Sequence, residues 1–199
     1  MNRRYILYTG LFVLIMLGVL MDNDAYNPKY TEINSKNMFF EEDYVLKSTK
    51  DVEYSNDSLK NYYTYIFFGY TNCPDFCPDT LIKIHRLFDE LRNENIKQNI
   101  KMLFISVDTK DSLNKIKKYV EYFDNDFIGV SMDKEKLDQL TKRVGVYYKK
   151  VSSDGNIDFY DHTGAIFLIN KKAKLIGLYT PPILIKEMKE DVIKGFKWI

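Results

Sequence analysis

The stretch FFGYTNCPDFCPDT, residues 67–80, contains both cysteines of this 199-residue chain. Cys73 and Cys77 stand four residues apart, and each is followed by a proline. The aromatic and β-branched run YYTYIFFGY (62–70) predicts a buried strand before them, and the run after them predicts a helix. Pro78 suits the first turn of that helix, with Cys77 near its N-cap. The cysteines therefore lie at a predicted strand-to-helix junction.

The chain beyond this junction alternates between strand-like and helix-like segments. They are a strand at 100–108, a helix at 112–123, a strand at 127–130, a helix at 134–144, a hairpin around Asp154 and Gly155, strands within GAIFLIN and AKLIGLYT, and a closing helix in ILIKEMKEDVIKGF. This order predicts an α/β fold with a mixed central sheet flanked by helices. A cysteine pair after the first central strand indicates a thioredoxin-like fold, although thioredoxins have C-x-x-C where this chain has C-x-x-x-C.

The amino-terminal run YILYTGLFVLIMLGVLM, residues 5–21, contains no charged residue. As a helix it would extend about 25 Å, enough to cross the hydrocarbon core of a bilayer. A cleaved signal peptide is the alternative, but its apolar core is shorter and ends in a small-x-small site that MDNDAY does not offer. We therefore expect an uncleaved transmembrane anchor. Arg3 and Arg4 precede the run, which predicts that the remainder of the chain is exported.

Composition bounds the remaining possibilities. The 29 Lys and Arg residues nearly balance the 28 Asp and Glu residues, and a net charge of +1 gives no support for nucleic-acid binding. Two cysteines are too few for a disulfide-stapled scaffold. We expect three segments: a membrane anchor at 1–21, a polar tether at 22–42, and one thioredoxin-like domain at 43–199.

The cysteine spacing allows several chemistries. A helix amino terminus lowers the pKa of a thiol, and the thiolate is both a metal ligand and a redox nucleophile. A disulfide between Cys73 and Cys77 would persist in an exported domain, although closing so small a loop adds little stability. Zinc requires four ligands, whereas copper(I) can be held by two thiolates and one imidazole. The residues alone leave a structural disulfide, a redox pair and a copper site open.

The chain has two histidines that could complete a copper site. His85 lies two turns beyond Cys77, near the edge of the apolar helix face, and we interpret it as a boundary residue that does not bind metal. His162, in YDHTGAIFLIN, lies in a turn before a buried strand, next to the cysteine loop in a thioredoxin-like sheet. Position alone favours a structural role for His162.

Six segments in this order resemble the Sco/SenC family of membrane-anchored, thioredoxin-like copper chaperones for cytochrome c oxidase. They are FFGYTNCPDFCPDTL, FISVDTKDSLNKIKKYVEYF, FIGVSMD, GVYYKK, DHTGAIFLI and LIGLYTPP. The resemblance covers about residues 38–199, and the block F-G-x-T-x-C-P-D-x-C-P followed by D-H-T is highly specific. It implies that Cys73, Cys77 and His162 bind one copper ion, Cu(I) or Cu(II).

The resemblance also implies a function and a location. The protein would take copper from an upstream donor protein and deliver it to the binuclear copper site on the copper-bearing subunit of cytochrome c oxidase. The absence of a long presequence and the YTPP ending favour a bacterial inner membrane with a periplasmic domain. A mitochondrial inner membrane, with the domain in the intermembrane space, is the alternative.

Two aspartates and one departure from the family pattern remain. Asp138, in KLDQL, best matches an aspartate that the family carries near its copper site. Asp75 matches the motif between the cysteines, where a loop aspartate can also bond nearby backbone N–H groups. Asn72 stands where the family often has histidine, but that position is not among the three expected ligands.

Two enzymatic alternatives use the same cysteines. A thiol–disulfide oxidoreductase that keeps the oxidase's copper-site cysteines reduced would attack through a thiolate and form a mixed disulfide. It would have no need of His162, whereas a copper site would. A peroxiredoxin-like peroxidase requires Thr-x-x-Cys, and Tyr70 stands at the threonine position before Cys73. We therefore expect copper delivery, with the oxidoreductase as the alternative.

Overall fold

The computed structural model of the chain describes residues 26–94, 99–155 and 157–196. The predicted anchor at 1–21 lies outside these ranges. Within them, no helix combines the length and the apolar character needed to cross a bilayer.

A six-stranded mixed sheet forms the centre of the domain, in the order β1-β10-β9-β4-β5-β6. Strands β4, β5 and β6 are parallel, and β9 runs antiparallel to β4. Short pairs β2–β3 and β7–β8 lie outside this sheet. The strands are β1 (Thr31–Glu32), β2 (Leu46–Lys47), β3 (Glu53–Tyr54), β4 (Tyr63–Gly69), β5 (Ile100–Ser106), β6 (Ile128–Val130), β7 (Tyr148–Asp154), β8 (Ile157–His162), β9 (Ile166–Ile169) and β10 (Leu175–Tyr179).

Helices flank the sheet and give it a thioredoxin-like architecture. They are α1 (Asn56–Leu59), α2 (Phe76–Asn93), α3 (Leu113–Phe123), α4 (Lys134–Val144) and α5 (Ile185–Glu190), which continues into one π-helical turn at Asp191–Gly195. Side-chain caps start α1, α3 and α4. Ser55 accepts a hydrogen bond from the backbone of Asp57, Ser112 accepts one from that of Lys115, and Asp133 accepts one from that of Lys136. Helix α4 ends where Gly145 adopts a left-handed φ of 76°.

The core surrounds β4, where all seven residues are buried. The apolar face predicted for the helix after the cysteines is buried against it, through Leu81, Ile84, Leu87, Phe88 and Leu91. A strand covered on both faces reads as a continuous apolar run rather than an alternating one, which is what residues 62–70 show.

The described part of the predicted tether packs on the domain. Strand β1 pairs with β10, and Phe39 and Phe40 are each only 1% exposed. The backbone of Phe40 bonds the side chain of Asn56 in both directions, with its N–H donating to Oδ1 and its carbonyl accepting from Nδ2. Two adjacent aromatic residues in a polar stretch carry no period, so the sequence pattern did not predict their burial.

Candidate metal centre

The cysteine loop begins where β4 ends. Gly69 closes the strand, and a Cβ atom there would lie 3.0 Å from the sulfur of Cys77 and 2.9 Å from the ring of Phe104. The backbone N–H of Cys73 donates to the carbonyl of Tyr70 at 3.3 Å, which shapes the loop as a turn. Cys77 lies in the first turn of α2, and its backbone N–H points at the sulfur of Cys73 at 3.4 Å. A helix-terminal N–H that has no acceptor within the helix thus donates to a sulfur that can carry negative charge.

His162 reaches the same point from the end of the β7–β8 hairpin. Its Nδ1 lies 3.1 Å from the carbonyl oxygen of Thr163 and therefore carries the proton that is donated there. The other nitrogen, Nε2, lies 3.4 Å from the sulfur of Cys77, where it can donate a hydrogen bond to a thiolate or, without a proton, offer its lone pair to a metal. The turn is itself fixed, since the N–H of Thr163 donates to the carbonyl of Tyr147 at 2.8 Å. A second hydrogen bond that sets the tautomer is the usual arrangement for a metal-binding histidine.

Cys73, Cys77 and His162 form one cluster, with their three ligand atoms within 4.8 Å of one another. It is the only group of three or more potential ligands of this kind within the described ranges. Cys77 is buried, whereas Cys73 and His162 are partly exposed. Two soft sulfurs and one imidazole suit copper(I), which accepts three-coordinate sites. The partial exposure leaves one side of the site open to a ligand from another molecule.

The two thiols differ in acidity. The pKa of Cys73 falls to about 4, because its thiolate accepts a hydrogen bond from the Cys77 thiol and further ones from His162 and the nearby backbone, which together outweigh its burial. The pKa of Cys77 is raised well above its ordinary range, chiefly because its proton is held by Cys73 and because it is buried. The metal-free site is thus one thiolate and one thiol, and binding a metal through both sulfurs releases the Cys77 proton.

Three aromatic rings enclose the imidazole. Phe67, Tyr70 and Phe76 place their centroids 6.0, 5.9 and 6.0 Å from that of His162. The ring of Phe76 also occupies the space above Gly164, where a Cβ would lie 2.5 Å from it. These contacts fix the orientation of the imidazole and exclude water from its inner face.

One loop, residues 107–111, supports both ligand-bearing segments. The buried carboxylate of Asp111 accepts hydrogen bonds from the backbone and hydroxyl groups of Thr71, at 2.9 and 2.5 Å, and from Ser106 at 2.8 Å. Asp108 accepts a longer bond, 3.3 Å, from Tyr160 of the histidine hairpin. Sequence reasoning missed Asp111. The available signal was topological, since it follows β5 at the sheet edge where parallel β4 delivers the cysteine loop.

The pattern of the SCO1/SenC family matches residues 33–196. The chain belongs to this family. The SCO2-like protein of Rickettsia prowazekii is 31% identical over 140 residues, which cover 69% of this chain and 67% of that protein. The human mitochondrial SCO1 homolog is 32% identical over 116 residues, covering 57% of this chain and 38% of that protein. The chain therefore matches well under half of the human relative's length.

Two solved structures of Sco proteins with copper bound share this fold. Bradyrhizobium japonicum ScoI has a TM-score of 0.69 and 28% identity, over 77% of this chain and 97% of that one. Arabidopsis thaliana ScoI has a TM-score of 0.68 and 26% identity, over 76% of this chain and 94% of that one. The cluster of Cys73, Cys77 and His162 in the present chain fits copper binding.

The other residues considered from sequence do not join the cluster. Asp138 is half exposed and bonds Lys134 and Tyr148, so the carboxylate expected near the copper lies outside the ligand group. Asp75 is exposed at the N-cap of α2 and makes no side-chain capping bond. Asn72 is partly exposed in the loop before Cys73.

His85 lies in a separate ionic group on α2. Its Nδ1 is 3.2 Å from Asp124 and its Nε2 is 3.1 Å from Asp89. Both ring nitrogens therefore already have carboxylate partners, and the ring takes no part in the cysteine cluster.

Proposed function

We propose that this protein is a membrane-anchored copper chaperone that delivers copper to the binuclear copper site of cytochrome c oxidase. The observation that carries the proposal is the convergence of Cys73, Cys77 and His162 on one partly exposed point. The family membership adds the link to the oxidase. The partners would be the copper-bearing oxidase subunit and an upstream copper donor, and copper is the cargo.

The proposed transfer proceeds by ligand exchange, and each residue has a distinct part in it. Cys73 is already a thiolate and partly exposed, so it is the first protein ligand to meet incoming copper. Cys77 releases its proton to solvent and closes the site from the buried side, and Nε2 of His162 supplies the third ligand. A thiolate from the acceptor then enters on the open side. Cys73, the first ligand to bind when copper is taken up, is the last to leave when copper is delivered. The copper(I) oxidation state does not change.

The location is also part of the proposal. We place the anchor at residues 1–21 and the domain on the exported side of a bacterial inner membrane, with the mitochondrial inner membrane as the alternative. The apolar run at 5–21 and the arginines before it support this arrangement. The named relatives include both bacterial and mitochondrial proteins.

The oxidoreductase alternative has its own observation. A thiolate with a pKa of about 4, next to a thiol one helical turn away, is the arrangement of a disulfide-exchanging pair. Cys73 and Cys77 would then alternate between a dithiol and a disulfide. The same disulfide would block copper binding, so the two activities would exclude each other at any moment.

A comparison of two variants separates these functions. In a strain that depends on this protein for oxidase assembly under limiting copper, His162→Ala and Cys77→Ser should both abolish assembly if the protein delivers copper. Excess copper should partly rescue the His162 variant by mass action. His85→Ala is the matched control and should assemble oxidase normally. Normal assembly in the His162 variant, with failure in the Cys77 variant, would establish the reductase instead.

Copper binding itself is tested on the full chain in detergent. After anaerobic loading, the dithiol form should hold one copper(I), with sulfur and nitrogen in the first coordination shell by X-ray absorption. A spectrum with sulfur ligands alone would remove His162 from the site.

A further inference from the structure

The metal centre and a group of lysines lie at opposite ends of the sheet. The cysteines follow the last residue of β4, and His162 precedes β9. Because β9 runs antiparallel to β4 and pairs Ile169 with Thr64, the turn after β9 lies beside the first residues of β4. That turn has the sequence NKKAK, residues 170–174.

The lysines of this turn have neighbours of the same charge. The carbonyl of Lys171 accepts a hydrogen bond from the backbone of Asn61, which places exposed Lys60 next to the turn. Lys60 pairs with Asp57 at 2.6 Å. Lys172 is exposed and Lys174 partly exposed, and among the described residues neither has a carboxylate partner. We call the group Lys60, Lys171, Lys172 and Lys174 the basic end of the domain.

The described chain enters the domain beside this basic end. The ring of Tyr26 packs on Gly195, where a Cβ would lie 2.9 Å from it. The next residue, Phe196, stacks on Tyr63 with a centroid separation of 4.0 Å. The ammonium group of Lys171 lies over the ring of the same tyrosine, 5.9 Å from its centroid. A continuous series of contacts therefore leads from Tyr26 to the lysine turn.

A buried carboxylate holds this entry point in place. Asp191 is fully buried and accepts hydrogen bonds from the hydroxyl of Tyr26 at 2.7 Å, the backbone of Lys29 at 2.8 Å and the hydroxyl of Tyr179 at 2.8 Å. Removing one partner from a buried, multiply bonded carboxylate is costly, so residues 26–29 are fixed to the domain. Only residues 22–25 separate this fixed point from the predicted anchor.

We propose that the basic end docks on the anionic phospholipid headgroups of the membrane in which the chain is anchored. The position of Tyr26 brings this end to the bilayer, and Lys172 and Lys174, which have no carboxylate partner among the described residues, complement phosphatidylglycerol-type headgroups. The proposal rests on the predicted anchor but not on copper delivery.

The consequence is a fixed orientation of the metal centre. Strand β4 has seven residues, and at about 3.3 Å per residue it separates the two ends by roughly 20 Å. Docking through the basic end therefore holds the copper site on the side of the domain away from the bilayer, at a height set by the fold rather than by a swinging linker. Exchange partners would reach the site from above the membrane surface.

The test uses the full chain in liposomes, with the site cysteines replaced by serine and one reporter cysteine introduced. A donor fluorophore is placed either at Asn61→Cys, in the basic end, or at Asp75→Cys, beside the metal centre, and the acceptor is a headgroup-labelled lipid. Energy transfer should be higher from position 61 than from position 75, and phosphatidylglycerol should raise it further at position 61 relative to phosphatidylcholine alone. High salt should reverse the increase.

Charge variants identify the surface. Lys171→Gln, Lys172→Gln and Lys174→Gln together should reduce the docked-to-undocked ratio roughly a hundredfold at low salt and remove the phosphatidylglycerol effect. The matched control removes the same charge from three exposed lysines elsewhere, by Lys47→Gln, Lys118→Gln and Lys149→Gln, and should keep the effect.

The possible outcomes are distinct. Equal transfer from positions 61 and 75, no effect of phosphatidylglycerol, or equal losses in both triple variants would each overturn the proposal. If the chain does not float with phosphatidylcholine liposomes, the predicted anchor is wrong. Even then, flotation with phosphatidylglycerol liposomes would support the docking surface, provided that the basic-end variant loses it and the control variant keeps it. Copper loading of the same triple variants with native cysteines should be normal, which separates this result from a failure of the chaperone function.

Discussion

Cys73 and Cys77 have different chemical states although they are one helical turn apart. The thiolate form of Cys73 is held by donors from Cys77, His162 and the backbone, and its pKa is about 4. Its thiolate fraction should therefore stay high as pH falls from 8, and should drop only as pH passes through about 4. Alkylation with iodoacetamide, followed by mass spectrometry, should modify Cys73 readily at pH 6 and leave Cys77 protected by its proton and its burial.

The unfolded chain provides the control for this prediction, since both thiols then titrate near their ordinary pKa. His162→Ala removes one of the donors to the Cys73 thiolate, so the alkylation profile of that variant should move to higher pH. Equal alkylation of the two cysteines at pH 6 in the folded chain would contradict the assignment of the thiolate to Cys73.

Asp111 should position the cysteine loop without touching the metal. It accepts two hydrogen bonds from Thr71, two residues before Cys73. Asp111→Asn keeps the shape but turns one acceptor oxygen into a donor, so we expect copper(I) affinity to fall roughly tenfold, the effect of losing one net hydrogen bond. Competition with a copper(I) chelator measures the affinity, and X-ray absorption should still show sulfur and nitrogen ligands.

Two further variants separate positioning from a loss of folding. Lys115→Met removes the ion pair on the far side of Asp111 and should leave copper affinity near the wild-type value. Thr71→Val should lower affinity as Asp111→Asn does, and the double variant should be no worse than either single one. Additive losses in the double variant would show that Asp111 acts by another route.

The sequence predicts the two cysteines as a site from their spacing, but not the histidine. The sequence pattern places residue 162 in a turn, where no periodicity marks its direction, whereas it is the last residue of β8; only the family resemblance singled it out. Its place next to Cys77 depends on the register of β7 with β8, which sets His162 opposite Tyr148, and of β9 with β4. Such long-range pairings cannot be derived from the local pattern of one segment.

At the scale of elements, long periodic segments were predicted well. The helix at 134–144 and the hairpin around Asp154 and Gly155 are confirmed. The closing helix predicted in ILIKEMKEDVIKGF is α-helical only as far as Glu190. A π-helical turn follows, in which the buried carboxylate of Asp191 accepts three hydrogen bonds. Strands β1, β2 and β3 have two residues each, too few for any alternation to appear in the sequence.

Gly145 should matter for the end of α4. Its φ of 76° is left-handed, and its N–H closes the last turn by donating to Thr141. Gly145→Ala should lower the free energy of unfolding by about 1 kcal/mol, because a Cβ is strained in this conformation. Gly145→Asn should cost less, since asparagine tolerates left-handed backbone better. Chemical denaturation of both variants measures this, and an alanine variant as stable as wild type would contradict it.

At the scale of the whole molecule, contacts join the two sides of the predicted boundary between tether and domain at residue 43. The sequence places a tether before residue 43, because the segment is polar and contains Asn27-Pro28. In the structure the segment supplies a strand of the central sheet, two buried phenylalanines and the contact of Tyr26 with Asp191. Whether scattered aromatic residues are buried depends on the surface of the rest of the domain against which they pack, and the composition of one segment does not show that surface.

Phe39 therefore tests whether this segment belongs to the folding unit. Its side chain is 1% exposed and packs edge-on against Phe40, with centroids 5.0 Å apart. Phe39→Ala should lower the free energy of unfolding by about 3–5 kcal/mol, since it removes buried apolar area and leaves a cavity. Val45→Ala, at a side chain that is 50% exposed, is the control and should change the free energy by less than about 0.5 kcal/mol. Denaturant unfolding of the full chain in detergent, followed by tryptophan or far-UV signals, measures both. Equal stabilities of the two variants would mean that the segment is a tether after all, free of the domain in solution. A large loss for Phe39→Ala alone would mean that the folded domain begins before residue 43 and includes this part of the predicted tether.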